Sequence, residues 1–165
     1  MTIIIKNKET LLFDDFKFKC SIGKKGFNKE KKEGDETTPK GLFDLGNIYY
    51  RADRVPKPDS KLKKIVIKKN MGWCDDSKSK YYNKIIKIKK NLNIGYEKLF
   101  RKDSKYDYLI LIKYNYKKIK KNKGSAIFIH LTKNYLPTKG CIALQKKDFL
   151  ILCKLIKKKT KIKIN

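Results

Sequence analysis

The stretch SAIFIHLTKNYLPTKGCIAL, from Ser125 to Leu144, decides how this chain reads. An apolar run ends at His130, the only histidine in 165 residues. A second short apolar run starts at Ile142, directly after Cys141. Between them Pro137 and the Thr138-Lys139-Gly140 turn interrupt any regular pattern. Both reactive side chains therefore sit at strand ends that face one loop. A thiol and an imidazole so placed are the minimum for a cysteine nucleophile with its base.

Outward from this stretch, YDYLILIKYNY (Tyr106 to Tyr116) is rich in aliphatic and aromatic residues and predicts a strand. Lys117 to Gly124 reads as a solvated loop. Ser125 to Leu131 reads as a second strand, with Ala126, Phe128 and His130 on one face. Downstream, Phe149, Leu152, Cys153 and Ile156 recur at helical spacing and predict an amphipathic helix of about three turns. Asp148 near its start and Lys157 to Lys159 at its end complement the helix dipole. Thr160 to Ile164 alternates as a closing strand.

Upstream, Ile3 to Ile5 predicts a short opening strand. Phe16, Phe18, Cys20 and Ile22 alternate with Lys17, Lys19 and Ser21 as a half-buried strand does. Gly23 and Gly26 mark a turn, and Gly34 to Gly41 reads as a loop before an apolar stretch at Leu42-Phe43. Leu62 to Lys69 predicts another strand. Around Trp73, Asp75 and Asp76 the local pattern favours a surface loop with one buried aromatic anchor. The alternative there is a pocket wall whose aspartates meet a polar ligand. Ile85 to Lys98 shows no clear period. The expected fold is mainly β with one or two helices, a sandwich or barrel formed by residues 1–165 as one domain.

The net charge of +28 suggests a polyanion partner at first. Its composition argues otherwise. Only Arg51, Arg54 and Arg101 among the 44 basic residues are arginine, and the remaining 41 are lysine. Readers of bases and phosphates favour the planar fork of arginine. Lysine, isoleucine, asparagine and tyrosine are the residues of A/T-rich codons, so codon drift accounts for the charge, and nucleic acid is disfavoured as a partner. An arginine that survives such drift has a task lysine cannot perform, such as gripping a carboxylate with two bonds. On that ground Arg51 and Arg54 become candidate ligand contacts. Cys20, Cys74, Cys141 and Cys153 form no CxxC pair and no zinc-ligand spacing, so no metal site is expected. Cys20 and Cys153 read as buried thiols. No run approaches the ~18 apolar residues of a membrane span, and Ile3 to Ile5 is too short for the core of a signal peptide.

These residues resemble the catalytic domain of the YkuD-type L,D-transpeptidases. The family's histidine on a strand, followed after a loop by Ser/Thr-x-Gly-Cys and an apolar residue, matches His130, Thr138, Lys139, Gly140, Cys141 and Ile142. Its Thr-Pro-x-Gly-x-Phe turn matches Thr38 to Phe43. A branch of the family is similar through Tyr49 to Arg54, Gly72 to Asp76 with Tyr82-Asn83, and Ile127 to Leu144. The resemblance covers residues 20 to 164. It departs at a shorter loop before the turn, at Lys139 where many members carry histidine, and at Ala143 where they carry arginine or asparagine.

The resemblance implies a cysteine enzyme acting on peptidoglycan stem peptides through a thioester, either as a transpeptidase or as an L,D-carboxypeptidase. Cys141 would be the nucleophile and His130 its acid/base, with the Leu131 carbonyl orienting the imidazole. The amides of Gly140 and Cys141 would receive the oxyanion, and Thr138 would brace the turn. Arg51, Arg54, Trp73, Asp75, Asp76 and Lys139 become candidate substrate contacts. No cofactor is expected. The family implies the periplasm or cell envelope, whereas the absence of a visible export signal leaves a cytoplasmic location as the alternative. A lysine-rich, non-catalytic module for anionic polymer is the competing reading; its binding would fall steeply with salt.

Overall fold

A computed structural model describes residues 1–165 as short β-strands joined by turns, with one helix. In order, the elements are β1 (Thr2–Asn7), β2 (Thr10–Phe13), β3 (Phe16–Lys19), β4 (Phe27–Asn28), β5 (Thr38–Pro39), β6 (Gly41–Tyr50) and β7 (Lys64–Val66). They continue through β8 (Met71–Cys74), β9 (Ile85–Lys87), β10 (Tyr96–Lys98), β11 (Tyr108–Ile112), β12 (Phe128–Leu131), β13 (Ile142–Leu144), α1 (Lys146–Leu155) and β14 (Lys161–Ile164). The fold is mainly β with one helix.

A nine-stranded sheet runs β13-β12-β11-β6-β14-β1-β2-β3, with β7 also paired to β6. Ten-residue β6 is its spine, because its two ends serve different neighbours. Tyr50 to Leu45 pair with β11, and Asp44 to Gly41 pair with β14. A register shift between Ile110 and Ile112 lets one strand do both. The closing strand β14 also pairs in parallel with β1, so the two ends of the chain meet in mid-sheet. A second sheet, β10-β8-β9, lies apart, and β4 pairs with β5.

All five residues of β11 are buried, so both faces of this part of the sheet are covered. Tyr108, Ile110, Ile129, Ile142 and Leu144 point into a core of 26 residues that includes Phe149, Leu152, Cys153 and Ile156 of the helical segment. Leu109, Leu111, Phe128 and Cys141 point the other way, into a core of 10 residues with Tyr49, Trp73, Leu99 and Tyr106. The small sheet covers this second face through Trp73.

Several expected elements change. Met71–Cys74 is a strand rather than a loop, with Trp73 as its buried anchor, 2% exposed. Its partners β9 and β10 fall in the segment that showed no period. The strand expected over Tyr106 to Tyr116 narrows to Tyr108–Ile112, because the chain turns beyond it and Asn115 takes a left-handed conformation at φ 47°. The strand expected from Ser125 begins only at Phe128, since Ala126 is itself left-handed at φ 53°. The helix ends at Leu155, followed by extended Ile156, so Lys157 to Lys159 lie beyond it and Lys154 is the base in its last turn. No helix is long and apolar enough to cross a membrane.

Candidate active site

Parallel pairing of β12 with β13 sets His130 opposite Ala143. Cys141, two residues before Ala143, therefore lies on the same face of the sheet as His130 and diagonal to it. The Phe128 N–H points at Cys141 Sγ at 3.4 Å, and the thiol donates to the Ala126 carbonyl at 3.2 Å. The left-handed turn at Ala126 aims that carbonyl inward; a non-glycine residue held in this conformation stores strain of order 1 kcal/mol. His130 Nδ1 lies 2.9 Å from the Leu131 carbonyl. A carbonyl only accepts, so Nδ1 carries the proton and Nε2 holds the lone pair. His130 and Cys141 line one cavity of about 620 Å³.

The turn before Cys141 is tightly held. Thr138 Oγ1 donates to the Cys141 carbonyl (2.6 Å) and accepts from the Gly140 N–H (3.1 Å). Thr38 Oγ1 donates to the Gly140 carbonyl (2.9 Å) and accepts from the Gly23 N–H (2.8 Å). Gly140 has φ 140°, and a Cβ there would lie 2.8 Å from the Thr37 carbonyl oxygen, so only glycine fits. This geometry corrects one expectation. The Gly140 amide is engaged by Thr138, whereas the Cys141 N–H donates to no group of the protein. Of the two amides, that of Cys141 alone is left without a partner in the protein.

Burial pushes the Cys141 thiol up to about 12, aided by the Glu97 charge and opposed by the Phe128 N–H and Lys31. Burial lowers His130 to about 4; its contact with Leu131 opposes this, and Lys105 and Arg101 reinforce it. At neutral pH the pair therefore rests as thiol and neutral imidazole. The Tyr106 ring stands edge-on to the imidazole, with centroids 5.5 Å apart, and its hydroxyl donates to Glu97. Phe128 packs under Tyr106, and Trp73 under Phe128, at 5.9 Å and 5.3 Å. Trp73 Nε1 donates to Asn83 Oδ1 (2.9 Å), which also accepts from the Ala126 N–H (3.1 Å). A continuous chain of contacts thus runs from the small sheet to the carbonyl that receives the thiol.

The remaining candidates divide. Lys139 and Asp75 line the cavity, as do Leu131 and Thr138. Arg51 and Arg54 do not, and the carboxylates they hold belong to the chain itself. Arg51, 2% exposed, grips Asp53 with two bonds (2.8 and 2.7 Å), donates to the Arg101 carbonyl (2.7 Å) and lies 3.4 Å over the Phe100 ring. Arg54 reaches Asp107 (3.2 Å) and the carbonyls of Asp103 and Lys102 (both 2.9 Å). Both pin the segment before β11. Trp73 is a core residue behind the site, and Asp76 instead accepts from the Lys78 N–H on the turn after β8. Glu33, Glu97, Lys31, Arg101, Lys105 and Tyr106 line the cavity without having been expected there. Their one sequence signal is the scarcity of acidic residues, 16 against 44 basic ones, which makes Glu33 and Glu97 uncommon in their surroundings. No cluster of three or more His, Cys, Asp or Glu side chains is placed to hold a metal ion.

The L,D-transpeptidase catalytic domain of the YkuD type matches residues 1–164, and the chain belongs to that family. Among solved structures it is similar to Bd1075 of Bdellovibrio bacteriovorus, with 13% identity and a TM-score of 0.50, covering 99% of this chain and 47% of that one. It is also similar to Pgp2, a helical cell shape determining protein of Campylobacter jejuni, with 17% identity and a TM-score of 0.50, covering 99% and 46%. The chain thus spans about half the length of each, and the likeness is one of fold. No curated protein matches the sequence.

Proposed function

We propose that this protein is a cysteine acyltransferase of the cell wall, an L,D-transpeptidase that cuts and rejoins peptidoglycan stem peptides through a thioester on Cys141. The observation that carries the reading is the pair itself. A thiol and an imidazole share one cavity, and the imidazole is anchored at Nδ1 so that Nε2 is free to take a proton.

Because both groups rest neutral, the thiolate forms during attack rather than before it. As Cys141 Sγ bonds to the scissile carbonyl carbon, its proton passes to His130 Nε2 and the carbonyl oxygen becomes an oxyanion facing the Cys141 N–H. Collapse breaks the C–N bond, and His130 returns the proton to the departing amine. An amine of a second stem then attacks the thioester, giving its proton to His130, and the thiol leaves with that proton. If water attacks instead, the same steps make an L,D-carboxypeptidase. With the thiol made less acidic and the imidazole less basic by burial, transfer ahead of attack is uphill, so the proton moves in concert with formation of the C–S bond. A peptidoglycan substrate would put the proposed activity in the cell envelope, and the cell-shape role stated for the Campylobacter protein of the same fold supports a cell-wall function.

A carbapenem, a strained acyl donor, tests the assignment by intact-mass spectrometry. The expected result is a gain of one drug mass on the wild type and none on Cys141→Ala. An adduct that persists in Cys141→Ala moves the nucleophile elsewhere. No adduct on the folded wild type removes the acyl-transfer reading.

A further inference from the structure

Lys31 is 3% exposed, although long cationic side chains are almost never buried unless they are paired. Its stem runs past two glycines in the left-handed region, Gly124 at φ 102° and Gly140 at φ 140°. A Cβ on Gly124 would lie 2.8 Å from Lys31 Cε, and one on Gly140 would lie 3.4 Å from Nζ. The ammonium therefore rests against the residue that precedes Cys141.

Asp35 fixes it there. Lys31 Nζ donates to Asp35 Oδ1 at 2.7 Å. The same carboxylate accepts from the N–H groups of Lys32 (2.8 Å) and Thr37 (2.9 Å) and from the Thr37 hydroxyl (2.8 Å). Against the effect of burial, these bonds hold the Asp35 carboxyl well below the usual carboxylate range, so it stays ionised. The Thr37 carbonyl abuts Gly140, and Thr38 donates to the Gly140 carbonyl, so the ion pair and the turn form one unit.

Stability does not explain the charge. A buried ion pair is often no better than well-packed apolar groups of the same volume. The other cations that border the cavity bear on other groups, Lys105 and Arg101 on His130 and Lys139 on Glu97. Among the acids, Glu33 bears on Asp75 and Asp75 on Glu97, while burial keeps Tyr106 a neutral phenol. At the thiol itself, burial and the Glu97 carboxylate oppose ionisation, and the Phe128 N–H and Lys31 favour it.

We propose that Lys31 is a positioning residue: through Gly140 it fixes the turn of Cys141, and its buried charge favours the anionic sulfur and the oxyanion that form during attack. The inference rests on the acyl-transfer reading of Cys141, but its signature at the thiol needs no acyl donor.

Iodoacetamide, a small neutral reagent, reads that signature. The thiolate displaces iodide, and mass mapping of peptides separates Cys141 from Cys20, Cys74 and Cys153. Lys31→Met keeps the space between the two glycines filled and leaves the Asp35 charge unopposed. Asp35→Asn leaves the Lys31 charge unopposed. A change of about tenfold in thiolate fraction is partly offset by nucleophilicity, which rises with basicity. Alkylation of Cys141 at about pH 8 should therefore be about threefold slower in Lys31→Met and about threefold faster in Asp35→Asn. A brace without an electrostatic part would move both variants in the same direction. Equal rates in the three proteins, or shifts of one sign in both variants, overturn the proposal. If one variant does not fold, the sign of the other decides. Carbapenem adduct formation on the same proteins separates the two readings. Alkylation that follows the charge, with no adduct on the wild type, removes acyl transfer and keeps the effect of Lys31 on the thiol. An adduct on a thiol indifferent to Lys31 does the reverse.

Discussion

The two faces of β11, β12 and β13 differ as sharply as any two regions of the molecule. Toward α1, Ile110, Ile129, Ile142 and Leu144 meet Phe149 and Leu152 in a core of 26 mostly aliphatic residues. Toward the small sheet, Phe128, His130 and Cys141 meet Trp73 and Tyr106, and the core cluster there has only 10 members. Polar tips are frequent on that side, and most are tied down: Trp73 by Asn83, Tyr106 by Glu97, His130 by Leu131. Adjacent residues of one strand therefore serve different ends. Phe128 and His130 of β12 face the small sheet and the cavity side while Ile129 faces the helix, because side chains alternate across a strand; Leu131, at the strand's end, borders the cavity as well as the larger core. Stability and chemistry are separated by 180° of side-chain direction, not by distance along the chain.

That division can be broken first at the site face. His130→Gln retains an amide able to donate to the Leu131 carbonyl but provides no base. Thioester formation, followed by time-resolved intact mass, is expected to slow by roughly 10²–10⁴-fold, the usual worth of general acid–base catalysis. A rate within a few-fold of the wild type would show that Cys141 ionises without the imidazole. The helix face gives the contrasting result. Phe149 is fully buried and stacks on Tyr108 at 5.8 Å. Phe149→Ala should cost about 3–5 kcal/mol in a urea melt and leave the rate of thioester formation unchanged wherever the variant is folded. A slowed reaction in that folded variant would mean that the two faces are mechanically coupled.

How much of this was legible in the sequence follows from the same geometry. Residues that alternate, such as Lys161–Ile164, that form an aliphatic run, such as Tyr108–Ile112, or that recur at helical spacing, such as Phe149, Leu152 and Cys153, announce their elements. The small sheet did not. Its outer strands are three residues each, and lysines at Lys87 and Lys98 dilute their period. Gly72 in β8 leaves a gap filled by Tyr96 and Ile88, a packing relation that spacing cannot express. His130 and Cys141 could be singled out because each side chain carries chemistry and both flank one loop. Glu97 and Tyr106 could not, because only the fold brings them beside that pair. Arginine scarcity singled out Arg51 and Arg54, yet scarcity does not tell whose carboxylate such a residue meets. Here they are Asp53 and Asp107.

The smallest expected effect is also the most specific to the site face, a pH dependence of stability. His130 titrates near its ordinary 6.5 when unfolded and at about 4 when folded. Between those values the unfolded chain binds a proton that the folded protein refuses. Stability from this group is therefore fully present above pH 6.5 and is lost as pH falls toward 4, by up to about 3 kcal/mol. Glu97 and Asp75, whose carboxyls are raised, act in the opposite sense over part of that range and partly mask the slope. The comparison must then be between proteins rather than between pH values. Urea midpoints at pH 7 and pH 4.5 should fall further apart for wild type than for His130→Gln, which lacks the titrating ring but keeps Glu97 and Asp75. Phe149→Ala should show the wild-type difference, since the helix face holds no imidazole. Equal pH slopes in wild type and His130→Gln would mean that the buried ring takes its proton without cost, and with that the picture of a neutral base poised beside a neutral thiol would be lost.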